Sequence, residues 1–160
     1  MAILGLSNRQ QLVIFLIVSV TIFFVGWAMV DFAVNGYKGH YLPEDGTLRN
    51  YWNWMWGFLV PATGFGLGLA YIVGAPDTDS NIWHSVGIFS TFIILAVGQL
   101  EDFLYFVLNG IPFPSTEEWW WMLFYGWFGT WTTEMHFVTV VVGIILVLVM
   151  WALIFKYCDD

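Results

Sequence analysis

The sequence predicts an all-α integral membrane protein: four transmembrane helices in an antiparallel bundle plus one short Trp-rich interfacial helix, forming a single membrane domain over residues 1–160. Three observations predict it. The chain is 59% hydrophobic and only 10% charged, with a mean hydropathy of +0.75, whereas a soluble domain carries about a quarter charged residues. Its apolar stretches are long enough to cross a hydrocarbon layer of about 30 Å. Some of the eleven tryptophans, such as Trp52, Trp54 and Trp56, sit near the ends of those stretches, where amphipathic rings settle at the headgroup level.

The first span covers about 11–34. Ser7 or Asn8 can cap its start, and the body from Leu12 to Val18 is uniformly apolar, as a lipid-facing helix should be. Asp31 sits in its last turns. No cleavage site follows this apolar run, so it reads as a retained span and not a removable signal peptide. A polar connection follows, in which Pro43-Glu44-Asp45-Gly46 marks a turn and His40 is the sole histidine.

The second span covers about 51–73. It opens with Tyr51, Trp52, Trp54 and Trp56, an interfacial belt, and Pro61 predicts a kink. Gly64 and Gly68 form a small-xxx-small pair that lets another helix backbone approach closely. Pro76 stops the span, and Asp79 or Ser80 caps the next.

The third span, about 81–108, begins with His84 in its first turn and carries Gln99, Glu101 and Asp102 in its far half. Asn109-Gly110-Ile111-Pro112 ends it, with Gly at the stop and Pro beyond. Ser115-Thr116-Glu117-Glu118 is a capping box that starts a helix over about 116–128. That helix is too short to span, and Trp119, Trp120 and Trp121 place it in the interface. The fourth span covers about 131–155, capped by Thr130 and closed by Lys156.

Ionised side chains at membrane depth cost a few kcal/mol each even on lenient insertion scales, so they signal partners or a function. Four antiparallel crossings bring Asp31, the far half of the third span and the start of the fourth, with Glu134 and His136, to one face. The expected site is therefore a carboxylate and histidine cluster of Glu101, Asp102, Glu134 and His136, with Asp31 and His40 as further ligands, at one mouth of the bundle. Oxygen and imidazole donors suit a divalent transition metal ion or another cation. Glu134 and His136 lie about 200° apart on a helix, which is not the Glu-x-x-His spacing of carboxylate-bridged metal bundles. The competing reading is structural: Glu101 or Asp102 hydrogen-bonds to His136, Thr132, Tyr105 or Gln99 and fixes helix register. A haem held between His84 and His136 is disfavoured, because the two histidines fall at opposite ends of their hairpin.

A net charge of -8, from twelve acids against four bases, excludes a basic nucleic-acid footprint and a polybasic lipid-binding segment. Cys158 is the lone cysteine, so no internal disulfide forms. The lipid bilayer is the first partner. The Gly64/Gly68 face and the Trp119–Trp121 helix are the expected docking surfaces for other membrane subunits or a second copy. From another class comes the alternative function, a non-catalytic accessory subunit of a larger membrane complex whose buried acids are structural. Whether the chain is an enzyme, the residues leave open. Arg9 and Lys156 fall on one side and Lys38 and Arg49 on the other, a tie in the positive-inside count. The acidic loops argue for cytoplasmic termini.

Overall fold

The computed structural model describes residues 6–35, 54–74, 80–114 and 131–158. These residues are helical almost throughout, with no strand among them. Helix α1 spans Asn8–Asn35. A π-helical turn, Met55–Leu59, leads into α2, Val60–Gly74. Helix α3 is Ser80–Val97, α4 is Leu100–Asn109 and α5 is Thr133–Tyr157. Among the described residues, three helical segments are long and apolar enough to cross a membrane: Asn8–Ala33, Met55–Gly74 and Thr133–Tyr157. A fourth crossing exists if α3 and α4, bent by 61° at their junction, count as one broken span. The expected interfacial helix over 116–128, with Trp119–Trp121, lies outside the described residues, as does His40.

Local chemistry explains most boundaries. Ser7 and Gln10 form a reciprocal capping box: Gln10 N donates to Ser7 Oγ at 3.2 Å and Ser7 N donates to Gln10 Oε1 at 2.9 Å. Pro61 is accommodated by the π-helical turn just before it. The Val60 N–H reaches back to Met55 O, and the widened turn relieves the clash a proline ring makes with the carbonyl four residues earlier. Gly110 ends α4 in the left-handed region, φ 63°, and its N–H reaches Phe106 O and Val107 O. For α5 the working cap is Thr132, whose side chain accepts from Met135 N at 3.2 Å.

One expectation is corrected. Residues 81–108 are not a continuous helix; the chain breaks at Gly98-Gln99 and restarts as α4.

Without water between them, membrane helices associate through close packing, not hydrophobic expulsion. Glycines supply that approach. An added Cβ on Gly64 would meet Phe89 O and Phe92 Cβ at 3.2 Å, and one on Gly68 would meet Ser85 Oγ at 2.7 Å. The Gly64/Gly68 face, expected to dock another subunit, is thus occupied by α3 of the same chain. Helix α5 buries a stripe of Val140, Gly143, Val147, Trp151 and Ile154, the 3.6-residue period of one helix face. Its other faces stay apolar and exposed, as lipid contact requires, with Val138 60% and Leu148 64% accessible. Phe24 and Phe92 stack at 6.1 Å and join α1 to α3.

Candidate functional site

The break between α3 and α4 falls at Gln99, just before Glu101 and Asp102. Gln99 is the one non-glycine residue with positive φ among the described residues, at φ 63°, ψ 33°. That conformation crowds a Cβ against the following carbonyl and costs an ordinary residue about 1–2 kcal/mol. Two contacts hold it there. Gly98 lies backbone to backbone on α5: a Cβ on Gly98 would meet Gly143 Cα and Thr139 O at 3.3 Å. The Gln99 side chain then reaches α5, where its Oε1 pairs with His136 Nδ1 at 2.9 Å and Thr139 Oγ1 approaches at 3.4 Å. Thr139 Oγ1 also donates to His136 O at 2.8 Å. With Gln99 Oε1 as the acceptor, it is the Nδ1–H of His136 that donates.

Because the helix restarts at Leu100, Glu101 and Asp102 fall in the first turn of α4. Acids there face the positive end of a helix dipole, which partly offsets the cost of burying them. Glu101 is buried, 4% exposed, and Asp102 is half-buried. Asp31, fully buried near the end of α1, lies within electrostatic reach of both. Glu101 Oε1 is buried with no hydrogen-bond partner among the described residues, and the same holds for Gln99 Nε2 and Trp27 Nε1.

The structure thus brings Asp31, Glu101 and Asp102 together and sets His136 beside them through Gln99. It does not bring Glu134 in. Glu134 is exposed on the first turn of α5, with its carboxylate on the Thr132 side chain, while His136 two residues on is fully buried. The two point apart, as their angular separation requires. Among the described residues no three His, Cys, Asp or Glu side chains are arranged to hold one metal ion. His84 belongs to the opposite end. Its Nδ1 pairs with Tyr71 Oη at 3.2 Å, its ring stacks on Trp151, and Arg9 lies over the neighbouring Phe155 at 4.0 Å. His136 and Trp151 are about 22 Å apart along α5, so the two histidines do not face a common iron.

Sequence reasoning named Gln99 only as a register-fixing partner of an acid, and did not foresee that Gly98 packs on Gly143 of α5. A signal for the break itself was present. A glycine followed within a turn by two acids is a helix stop and a helix start in succession, here placed inside an apolar run. No family model, curated protein or solved structure matches the chain.

Proposed function

We propose that the protein crosses the membrane four times in alternating directions, the bent α3–α4 pair making one crossing, and that it takes up a cation at the break in that crossing. The carboxylates of Asp31, Glu101 and Asp102 supply the negative charge, and His136, oriented by Gln99, is the adjacent base. The observation that carries the reading is Glu101: a carboxyl 4% exposed, with Oε1 lacking a hydrogen-bond partner among the described residues, beside two more acids. Broken helices inside membranes recur where ions bind, because the freed helix ends and polar side chains line a cavity in place of lipid.

Uptake at this site is tested on the full chain in phospholipid vesicles, by measuring proton release and bound metal in the wild type, Glu101→Gln and Asp102→Asn. Loss of uptake in both variants, with the fold intact by circular dichroism, is the expected result. Unchanged uptake in both refutes the site.

A further inference from the structure

What lies between the break and the far end of the bundle decides how a cation reaches Glu101. Ionisable side chains occur at the two ends of the crossings and nowhere between. On α1 none falls between Arg9 and Asp31, and along α3 and α4 none falls between His84 and Glu101. On α5 none falls between His136 and Lys156, and residues 55–74 carry only Tyr71, which pairs with His84. The stretch of α3 from His84 to Val97 is about 20 Å long, two thirds of a hydrocarbon layer about 30 Å thick.

That stretch is packed solid. Next to the break, the seam between α3 and α5 is shut by backbone on backbone: a Cβ on Gly98 would meet Gly143 Cα and Thr139 O at 3.3 Å. Farther along, Phe23 and Phe24 of α1 meet Phe92 of α3 at 5.3 and 6.1 Å. Phe24, Phe92 and Ile88 are each 0% exposed. Nearer His84, the Trp151 indole donates to Thr91 Oγ1 at 2.9 Å, and a Cβ on Gly87 would meet the same indole ring at 3.0 Å. Thr91 in turn donates to Gly87 O at 2.8 Å, so the polar groups of this layer are spent on one another. A close-packed apolar interior has no room for water. With neither water nor a charged side chain there, a cation finds nothing to replace its hydration shell. The other side of the break is different. Asp102 is half-buried and Glu134, in the first turn of α5, is exposed, so charged groups continue from Glu101 toward the face where α5 begins.

We propose that the site opens to one membrane face only, the face where α1 ends and α5 begins, and that the protein binds its cation there without carrying it across. The inference rests on the cation reading above and adds a direction to it: the chain is a receptor for the cation of one compartment. A carrier would have to part the Gly98 and Gly143 backbones and the Phe24–Phe92 stack at every turnover.

Sidedness is read on the full chain, reconstituted sparsely in phosphatidylcholine vesicles that trap dyes responding to pH, Na⁺ and Mn²⁺. An N-terminal affinity tag sorts the vesicles into those with α1 starting outside and those with it starting inside. Na⁺, Mn²⁺ or a pH step is applied from outside, and bound metal, protons exchanged and the lumen signal are measured, with Glu101→Gln as the blank. Binding confined to vesicles with α1 starting inside, with a lumen as silent as that of protein-free vesicles, is the expected result. Binding in the other population, or a lumen signal above that of protein-free vesicles, overturns the one-sided site while leaving cation binding intact. Binding no greater in the wild type than in Glu101→Gln, in both populations, ends both readings.

Discussion

Gln99 offers a test with a sign in it. In an ordinary helix interior, Gly is less stable than Ala by about 1 kcal/mol. At a left-handed residue the order reverses, because a Cβ there costs about 1–2 kcal/mol that glycine does not incur. Gln99→Gly and Gln99→Ala both delete the amide that pairs with His136 Nδ1 at 2.9 Å, and both leave that buried imidazole N–H unmatched. The shared loss is about 1–3 kcal/mol and cancels in the comparison. What remains is the backbone. With φ at 63° the Gly variant should be the more stable of the two by about 1 kcal/mol. A continuous third helix would make it the less stable by about the same amount, so the two structures differ by about 2 kcal/mol in one measurable difference. Reversible unfolding in mixed detergent and lipid micelles, followed by circular dichroism, has the precision required. An Ala variant equal to or more stable than the Gly variant refutes the break.

Other substitutions probe the packing around it. Gly143→Leu should push α5 off the Gly98 backbone, which a Cβ on Gly143 would already approach to 3.3 Å, and cost about 1–3 kcal/mol in the same unfolding assay. Its His136 ring ¹⁵N shifts should also move away from the Nδ1–H tautomer. Thr91→Val deletes the acceptor of the Trp151 indole N–H, which Thr91 Oγ1 meets at 2.9 Å. It should destabilise by about 1–3 kcal/mol, while Thr91→Ser restores the bond and the stability. Thr132→Ala removes the cap of α5 and should cost about 1 kcal/mol, seen as faster hydrogen exchange in the first turn of that helix alone.

The all-helical class, the presence of helices apolar enough to cross a membrane and the glycine approach of α2 were legible because they depend on composition and spacing, which tertiary contacts do not alter. The third span was read as continuous for a physical reason: its hydrophobicity does not drop at Gly98-Gln99, and hydropathy measures transfer into lipid, not backbone direction. The gathering of Asp31 with Glu101 and Asp102 is what alternating crossings would produce. The partner of His136 does not follow. Choosing Gln99 over an acid depends on the 61° bend and on Gly98 lying against Gly143, both set by contacts far apart in sequence. Burial was equally hidden on α5, where apolar residues surround the helix and only Gly143 and Trp151 betray the inner face.

The break also supplies a structural reason for the acids, and that reason has a limit. The first turn of a helix presents about half an elementary charge, enough to favour one carboxylate, and here it faces two on α4 with Asp31 across from them. The bases that are described sit at the other end: Arg9 over Phe155, and Lys156 over Tyr157 at 4.8 Å. Charge in excess of what the dipole offsets is a standing cost, so neutralising it should leave the fold as stable or stabilise it. A scaffold role for Glu101 as an acceptor in a register-fixing bond predicts the opposite, a loss of about 1–3 kcal/mol in Glu101→Gln. The site reading therefore commits to a divergence: Glu101→Gln keeps or gains stability while it loses uptake. A variant that loses stability and uptake in proportion would mean the carboxylate was there to hold the helices, and the cation was never its purpose.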